Sequence, residues 1–324
     1  MSIAVSVLLF VVGLVLIIKG GDFFVDAASW IAEVSGVPKI IVGATVVSIA
    51  TTLPEIIVSC LAAAQGKVDM SVGNAVGSVT ANTALIMAVS FIFMPAIINR
   101  KDYAFKTFLL LLSTGFLVIA GIQGKLTLFG SAFLFIIFII FIWDNVSSAN
   151  KVLKAQREDS SQTEIREKPT KKTVFINSAK FLFGAAGIVG GAQLLVKYGS
   201  ELASLIGISE AVISVTMIAV GTSLPELVTT ITAVAKKQNE LSVGNIIGAN
   251  IIDMTLILPI CSFIYSGSLP ISRQSAFLDL PVCFIAAAVG LVPVLASKKI
   301  TRVNGAALLA VYIAYMVLTF IFFV

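Results

Sequence analysis

The sequence predicts an all-α polytopic membrane protein: about ten transmembrane helices in two inverted five-helix repeats, with the N- and C-termini outside. Three observations predict it. First, 58% of the 324 residues are hydrophobic and only 12% are charged, with a mean hydropathy of +1.05. A soluble domain carries roughly 45–50% apolar and about 25% charged residues. Second, the apolar residues gather into stretches near the length of about 20 that a hydrocarbon core of about 30 Å demands. Third, two long motifs return half a chain later. The composition excludes a cytosolic enzyme, a nucleic-acid binder and a disordered chain. There is no histidine, which removes imidazole acid–base and zinc chemistry. Cys60, Cys261 and Cys283 lie scattered in apolar surroundings without metal-type spacing, and read as small core residues.

Taken in order, the first span is Ile3–Ile18, free of charge, in a helix that continues past Asp22 to Gly36. It lacks a basic leader, and Gly20–Asp26 does not resemble a cleavage site, so it reads as helix one. Ile40–Gln65 carries one charge, Glu55, and Met70–Asn99 carries none. Thr107–Gly124 and Leu126–Trp143 follow, then a polar stretch, Asp144–Thr173. The second series is Val174–Ile208, Ala211–Ala235 with Glu226, Leu241–Ser272 with Asp253, Gln274–Ser297 with Asp279, and Val303–Val324. The chain thus divides into a first repeat (residues 1–145), a cytoplasmic linker (146–173) and a second repeat (174–324).

Lys and Arg cluster in alternate loops. Lys39, Arg100, Lys101 and Lys106 fall in the first and third, seven basic residues in the fifth, Lys236 and Lys237 in the seventh, and Lys298, Lys299 and Arg302 in the ninth. The even loops hold only Lys67, Lys125 and Arg273. The positive-inside rule places the odd loops in the cytoplasm of a plasma-membrane protein. Acidic Glu158, Asp159, Glu164 and Glu167 are interleaved with the basic residues of the fifth loop, as in a solvated linker.

The repeat is explicit. SVGNAVGSVTAN at 71–82 returns as SVGNIIGANIID at 242–253, and TVVSIATTLPE at 45–55 as TMIAVGTSLPE at 216–226, each 171 positions later. Gly20–Gly21 match Gly190–Gly191 at 170. Five helices per half means that the halves enter the membrane in opposite senses. Inverted repeats are a transporter architecture, with the site at the midplane where they meet.

Glu55 and Glu226 occupy equivalent mid-helix positions. A carboxylate there costs at least about 2.5–3.5 kcal/mol. Their own helices and the next offer no basic partner, so each is protonated or neutralised by a cation. Thr51 and Thr222 lie four residues before each Glu, on the same helix face, with Ser48, Thr52 and Ser223 within a turn or two. Hydroxyls plus carboxylates are hard ligands suited to Ca²⁺ and Na⁺. Pro54 and Pro225 precede the glutamates and free the carbonyls of Ala50 and Gly221, kinking or breaking the helix. The next helix adds a stripe at four-residue spacing: Asn74, Ser78 and Asn82 in one half, Asn245, Ala249 and Asp253 in the other. Gly73, Gly77, Gly244 and Gly248 supply small surfaces for close helix contact.

These paired motifs resemble the α-repeats of the cation/calcium exchanger superfamily, specifically its sodium/calcium exchanger branch of prokaryotic type, without a regulatory domain. The resemblance spans nearly the whole chain. It implies a Ca²⁺ site of Glu55, Glu226, Thr51 and Thr222, and Na⁺ sites involving Ser48, Thr52, Ser78, Ser223 and the Ala219 carbonyl. Asn82 and Asp253 would take the middle position. It further implies that helices one and six slide across the core, and that more than two Na⁺ move per Ca²⁺. The sequence departs from the family at Ala50–Thr51–Thr52, usually Gly-Thr-Ser or Gly-Ser-Ser, at Val79, usually Asn, and at Ala249, usually Ser. The last removes a hydroxyl beside the second half's site. Asp253 matches a position where an aspartate accompanies potassium dependence in one branch, so potassium cotransport stays open.

The expected ligands are thus transported Ca²⁺ and Na⁺ and the lipid bilayer, with no cofactor, nucleic acid or obligate protein partner. Proton/Ca²⁺ exchange at the same carboxylates is the alternative, and the hydroxyl shell weighs against it. A channel has little need of inverted halves, and an enzyme has no catalytic His or Cys here. Asp22 and Asp26 read as a helix-surface ion pair with Lys19, three residues before Asp22, or else as a vestibule for cations. Trp30 and Trp143 read as interface anchors.

Overall fold

The computed structural model describes residues 3–158, 169–205 and 221–323, and among them the chain is almost wholly helical. Eleven helices carry the fold: α1 Ile3–Ser35, α2 Lys39–Thr51, α3 Leu53–Ala64, α4 Val68–Phe93, α5 Arg100–Ile122, α6 Leu128–Glu158, α7 Lys171–Leu205, α8 Leu224–Ala235, α9 Asn239–Ile264, α10 Ser275–Ser297 and α11 Arg302–Phe323. Eight of these are long and apolar enough to cross a membrane, and α2 and α3 together make a ninth span, bent by 46°. The expected tenth span is described only from Gly221 onward, through α8; its first half lies outside the described residues. The stretch read as linker is still helix up to Glu158. Lys106, read as a loop residue, lies inside α5, where it is buried and pairs with Asp144 at 3.6 Å. That partner is what lets a lysine sit there.

Two short antiparallel ladders tie the halves at their ends. β1 (Ala96–Ile97) pairs with β4 (Lys299–Ile300), and β2 (Lys125–Leu126) with β3 (Leu269–Pro270). The first joins two basic odd loops and the second two even loops.

Burial is inverted relative to a soluble protein. Phe129, Phe175, Phe183, Ile136 and Val303 are exposed, while Ser48, Thr52, Thr83, Asn245, Asn250 and Asp253 are buried. An apolar exterior needs lipid, and polar residues inside must find partners within the bundle. One apolar cluster runs through both repeats, from Ile40 and Val72 to Met254 and Cys283. A second gathers Phe24, Val25, Ala28 and Ala32 of α1 and Ile188 of α7 with Val42 and Val47 of α2, Ala233 of α8 and Leu241 of α9.

Two glycine-lined seams set the close approaches. A Cβ at Gly244 would run into the Ile40 carbonyl oxygen, and one at Gly248 would stand 2.5 Å from that of Ala44. These glycines therefore let α9 lie directly on α2 of the other repeat. In the α1–α7 pair, a Cβ at Gly184 would meet the Phe24 nitrogen at 2.7 Å, and one at Gly191 the Gly13 oxygen at 2.7 Å. Because α2 and α9 meet backbone to backbone, no flexible side chain can yield. Gly244→Ala is expected to destabilise the protein by about 1–3 kcal/mol. A melting temperature in detergent unchanged from the parent would contradict this packing.

Candidate cation site

The first span breaks where proline forces it to. Helix α2 ends at Thr51, Thr52 sits at φ −81° and ψ −4°, and α3 restarts with Pro54 in its first turn. Ser223 repeats the geometry at φ −86° and ψ 6°, followed by α8 with Pro225 in its first turn. The first amide hydrogen bonds beyond each break also match: Ile56 N–H donates to the Thr52 carbonyl and Leu227 N–H to that of Ser223, both at 3.0 Å. Each break delivers one glutamate in the first turn of a helix, where the N-terminal dipole favours negative charge.

The facing helices are irregular as well. A π-helical turn opens at Asn82 in α4 (Asn82–Ile86) and another at Asp253 in α9 (Asp253–Ile257). Such turns often mark functional sites. Pro259 follows the second turn and explains it locally, since its missing N–H leaves the Thr255 carbonyl without its helical donor. No proline occupies the matching place in α4, where Ala88 stands. The two turns share their position in the repeat rather than a common local cause.

These elements converge. Glu55, Glu226 and Asp253 are at most 1% exposed, and Glu55 lies within electrostatic reach of both other carboxylates. Thr51 stands beside Glu226. Its hydroxyl, however, is directed to Asn245 Oδ1 at 3.2 Å and to the Ser48 carbonyl at 3.3 Å. Ser78 and Thr222 meet hydroxyl to hydroxyl at 3.3 Å. Thr52 donates to the Ser48 carbonyl at 2.6 Å and Ser48 to that of Thr45 at 3.1 Å. Ser223 and Asn82 are buried, and neither side chain makes a hydrogen bond. Ala219 lies outside the described residues, so its carbonyl cannot be placed.

All six oxygens of Glu55, Glu226 and Asp253 are buried without a hydrogen-bond partner. The ion pairs among the described residues are Lys39–Glu33, Lys106–Asp144, Lys236–Asp22 and Lys236–Asp26, and none touches them. Buried charge of one sign, surrounded by neutral oxygen donors, is the composition of a site for a hard cation.

Several site neighbours were not singled out in the sequence. Ser59 and Thr230 follow the two glutamates by four residues at the same repeat position, a spacing that could have flagged them. Ser59 accepts from Asn74 Nδ2 at 2.9 Å. Thr230, with Thr229, is buried and unpartnered. Asn250 donates to Thr83 at 2.7 Å across the repeats; their repeat mates, Val79 and Met254, carry no such pair, so the repeat itself gave no signal.

Comparison with known proteins now decides the family. Residues 5–145 and 177–321 match the family described as sodium/calcium exchanger protein. The chain belongs to the sodium/calcium exchanger family. The "Sodium/calcium exchanger MaX1" of Methanosarcina acetivorans is 32% identical, the alignment covering 98% of this chain and 99% of that protein. The "Inner membrane protein YrbG" of Escherichia coli K12 is 33% identical over 81% of this chain and 80% of that one. A solved structure of the sodium-calcium exchanger NCX_Mj, soaked with Na⁺ and Sr²⁺, superposes with a TM-score of 0.83 at 30% identity, covering 98% of this chain and 99% of that one. The protein is therefore a polytopic membrane transporter of this exchanger family and not an enzyme.

A site made of uncompensated carboxylates must be stabilised by what fills it. Ca²⁺ at about 100 times its dissociation constant is expected to stabilise the fold by about 2.7 kcal/mol. Glu226→Gln should lose that increment, read as the Ca²⁺-dependent shift of the melting temperature in detergent. An undiminished shift in the variant would remove Glu226 from the ligands.

Proposed function

We propose that this chain is a secondary antiporter of the plasma membrane that exchanges Na⁺ for Ca²⁺ by alternating access. Glu55 and Glu226 form the shared cation site, with Thr51 and Thr222 beside them. The observation that carries the reading is the set of six buried carboxylate oxygens with neither hydrogen bond nor basic partner, contributed by both halves, the two glutamates just past helix breaks and Asp253 in a π-turn. The names of the similar proteins agree with it: the relative from Methanosarcina is called a sodium/calcium exchanger, and NCX_Mj is a sodium-calcium exchanger.

The charges explain exchange. The two glutamates place about two negative charges at the depth where charge is most expensive, so crossing empty is disfavoured. One Ca²⁺ or at least two Na⁺ offset them, and Asp253, the third carboxylate, carries a proton or a further cation of its own. Both ions use the same oxygens, so one leaves before the other is fully bound. When only a neutralised site can change sides, the downhill flux of Na⁺ becomes the uphill flux of Ca²⁺. Ser48, Thr52, Ser78, Ser223 and the Ala219 carbonyl are assigned to Na⁺, which needs neutral oxygens to make up its shell. Asn82 and Asp253 occupy the middle position. The shell also separates this reading from proton exchange, because a proton on a carboxylate has no use for a surround of hydroxyls.

The test is ⁴⁵Ca²⁺ uptake into proteoliposomes loaded with Na⁺, K⁺, choline or acidic buffer. Uptake is expected only against outward Na⁺, and Glu55→Gln and Glu226→Gln should each abolish it. Near-normal flux in either variant would sink the site assignment. Uptake driven by a pH gradient in the absence of Na⁺ would replace the reading with proton exchange.

A further inference from the structure

Helices α1 and α7 pack closely on each other along their length. They run antiparallel with Gly13 on Gly191 and Gly20 on Gly184, and Ser6 Oγ donates to Glu201 Oε1 at 2.9 Å near one end. Phe24 packs on Phe181 with ring centroids 4.7 Å apart. The apolar cluster around this pair also takes in Val42 and Val47 of α2, Ala233 of α8 and Leu241 of α9, so the pair rests on those helices through one shared patch, distinct from the main core. The pair meets α8 closely: a Cβ on Gly21 would stand 2.8 Å from Thr232 Oγ1 and 2.9 Å from a Val228 methyl. One turn past Thr232, Lys236 closes the contact. Its Nζ reaches Asp26 Oδ1 at 2.7 Å, the Asp22 carbonyl at 3.0 Å and Asp22 Oδ1 at 3.3 Å. Asp22 and Asp26 thus pair across the helix boundary with Lys236, and not with Lys19 of their own helix.

The repeat makes this contact one-sided. The mates of Asp22 and Asp26 are Ala192 and Val196, and the mate of Lys236 is Gln65. The opposite end of the molecule therefore cannot form the same clasp. In a transporter of inverted repeats, the two access states are near mirror images produced by rocking one bundle against the other. An interaction with no mate favours one state over its mirror. We propose that Lys236, with Asp22 and Asp26, is a positioning latch that weights the exchanger toward the state closed at the odd-loop end, the end assigned by its basic residues to the cytoplasm. This rests on the alternating-access reading above. Lys236 touches no transported ion; it acts by holding the α1–α7 pair on α8.

The side chains are partly exposed, at 27% for Lys236, 42% for Asp22 and 50% for Asp26. Such pairs bias an equilibrium about threefold rather than by orders of magnitude. In Lys236→Gln, the half-saturating Ca²⁺ concentration at the cytoplasmic face should fall about threefold and that at the outer face should rise, because apparent affinity follows the fraction of competent state. The double variant Asp22→Asn, Asp26→Asn should shift both values the same way. The measurement is Ca²⁺ flux in vesicles of defined orientation at low ionic strength. A purely structural loss would weaken both faces together, and that result, or no shift at either face, overturns the latch. A second readout is independent of flux. Ala28→Cys, buried in the α1 cluster of a chain whose native cysteines are replaced, should react about threefold faster with an impermeant thiol reagent from the cytoplasmic side when Lys236→Gln is added. An unchanged rate overturns the proposal. Absence of Na⁺-driven flux in the parent would count against the exchange reading alone.

Discussion

Three carboxylates, Glu55, Glu226 and Asp253, are held in the interior of a membrane protein with no positive residue among the described ion pairs to answer them. Each costs at least about 2.5–3.5 kcal/mol at that depth. Natural proteins can meet such a cost with a buried lysine or arginine, and this chain does so elsewhere: Lys106 is buried and has Asp144. At the centre it does not. The site is built with its compensation missing, which is the condition for a mobile cation to supply it. A resident lysine would make the bundle more stable and useless for exchange.

The backbone follows from that constraint. A carboxylate on an unbroken helix would have only neighbouring side chains for company, because the main-chain groups would be bonded to one another. Breaking the span at Thr52 and Ser223 places each glutamate in the first turn of a short helix, the end that favours negative charge. Irregular backbone at membrane depth is tolerated only where protein or a cavity surrounds it. The breaks therefore demand the tight cover that α9 gives α2 through Gly244 and Gly248. The prolines and the glutamates recur together in each repeat, but the glycine cover is seen on one side only: among the described residues nothing lies within 4 Å of a Cβ built at Gly73 or Gly77, the mates of Gly244 and Gly248 expected to make the same close contact.

How much could be read in the sequence follows the same division. The spans, the repeat and the helix break were legible because each depends on composition or on a residue with one steric consequence. Pro54 must interrupt its helix in any surroundings. Glu55 and Glu226 stood out because a charge in an apolar run is rare. The π-turn at Asn82 was not legible, since no residue near it forbids an ordinary helix and only its packed neighbours set it. The pairing of Asn250 with Thr83 was hidden for the same reason: it joins the two repeats at positions whose repeat mates are apolar. Lys106 misled because a lysine beside a basic loop looks like the loop, and its partner Asp144 lies 38 residues away. Asp22 misled by the local rule of neighbours on a helix, when its partner came from the other half of the chain.

The repeat is kept where the backbone must break and relaxed where the chemistry can differ. Thr52 and Ser223 share dihedral angles within about ten degrees, as the two breaks require. Away from the breaks, Asn82 faces Asp253 in the repeat, Ser78 faces Ala249, and Gln65 faces Lys236. Perfect mirror halves would give two access states of equal energy and a site of equal donors on either side of the axis. In the proposed exchange the two faces of the membrane meet different ion concentrations, so equal states and equal donors are not required. Replacing an amide by a carboxylate, or a serine by an alanine, changes the ligands without disturbing the fold. Placing a lysine at one end only changes the balance of states without touching the ligands. In the proposed mechanism, inverted repeats supply the two states, and the departures from the repeat make them unequal.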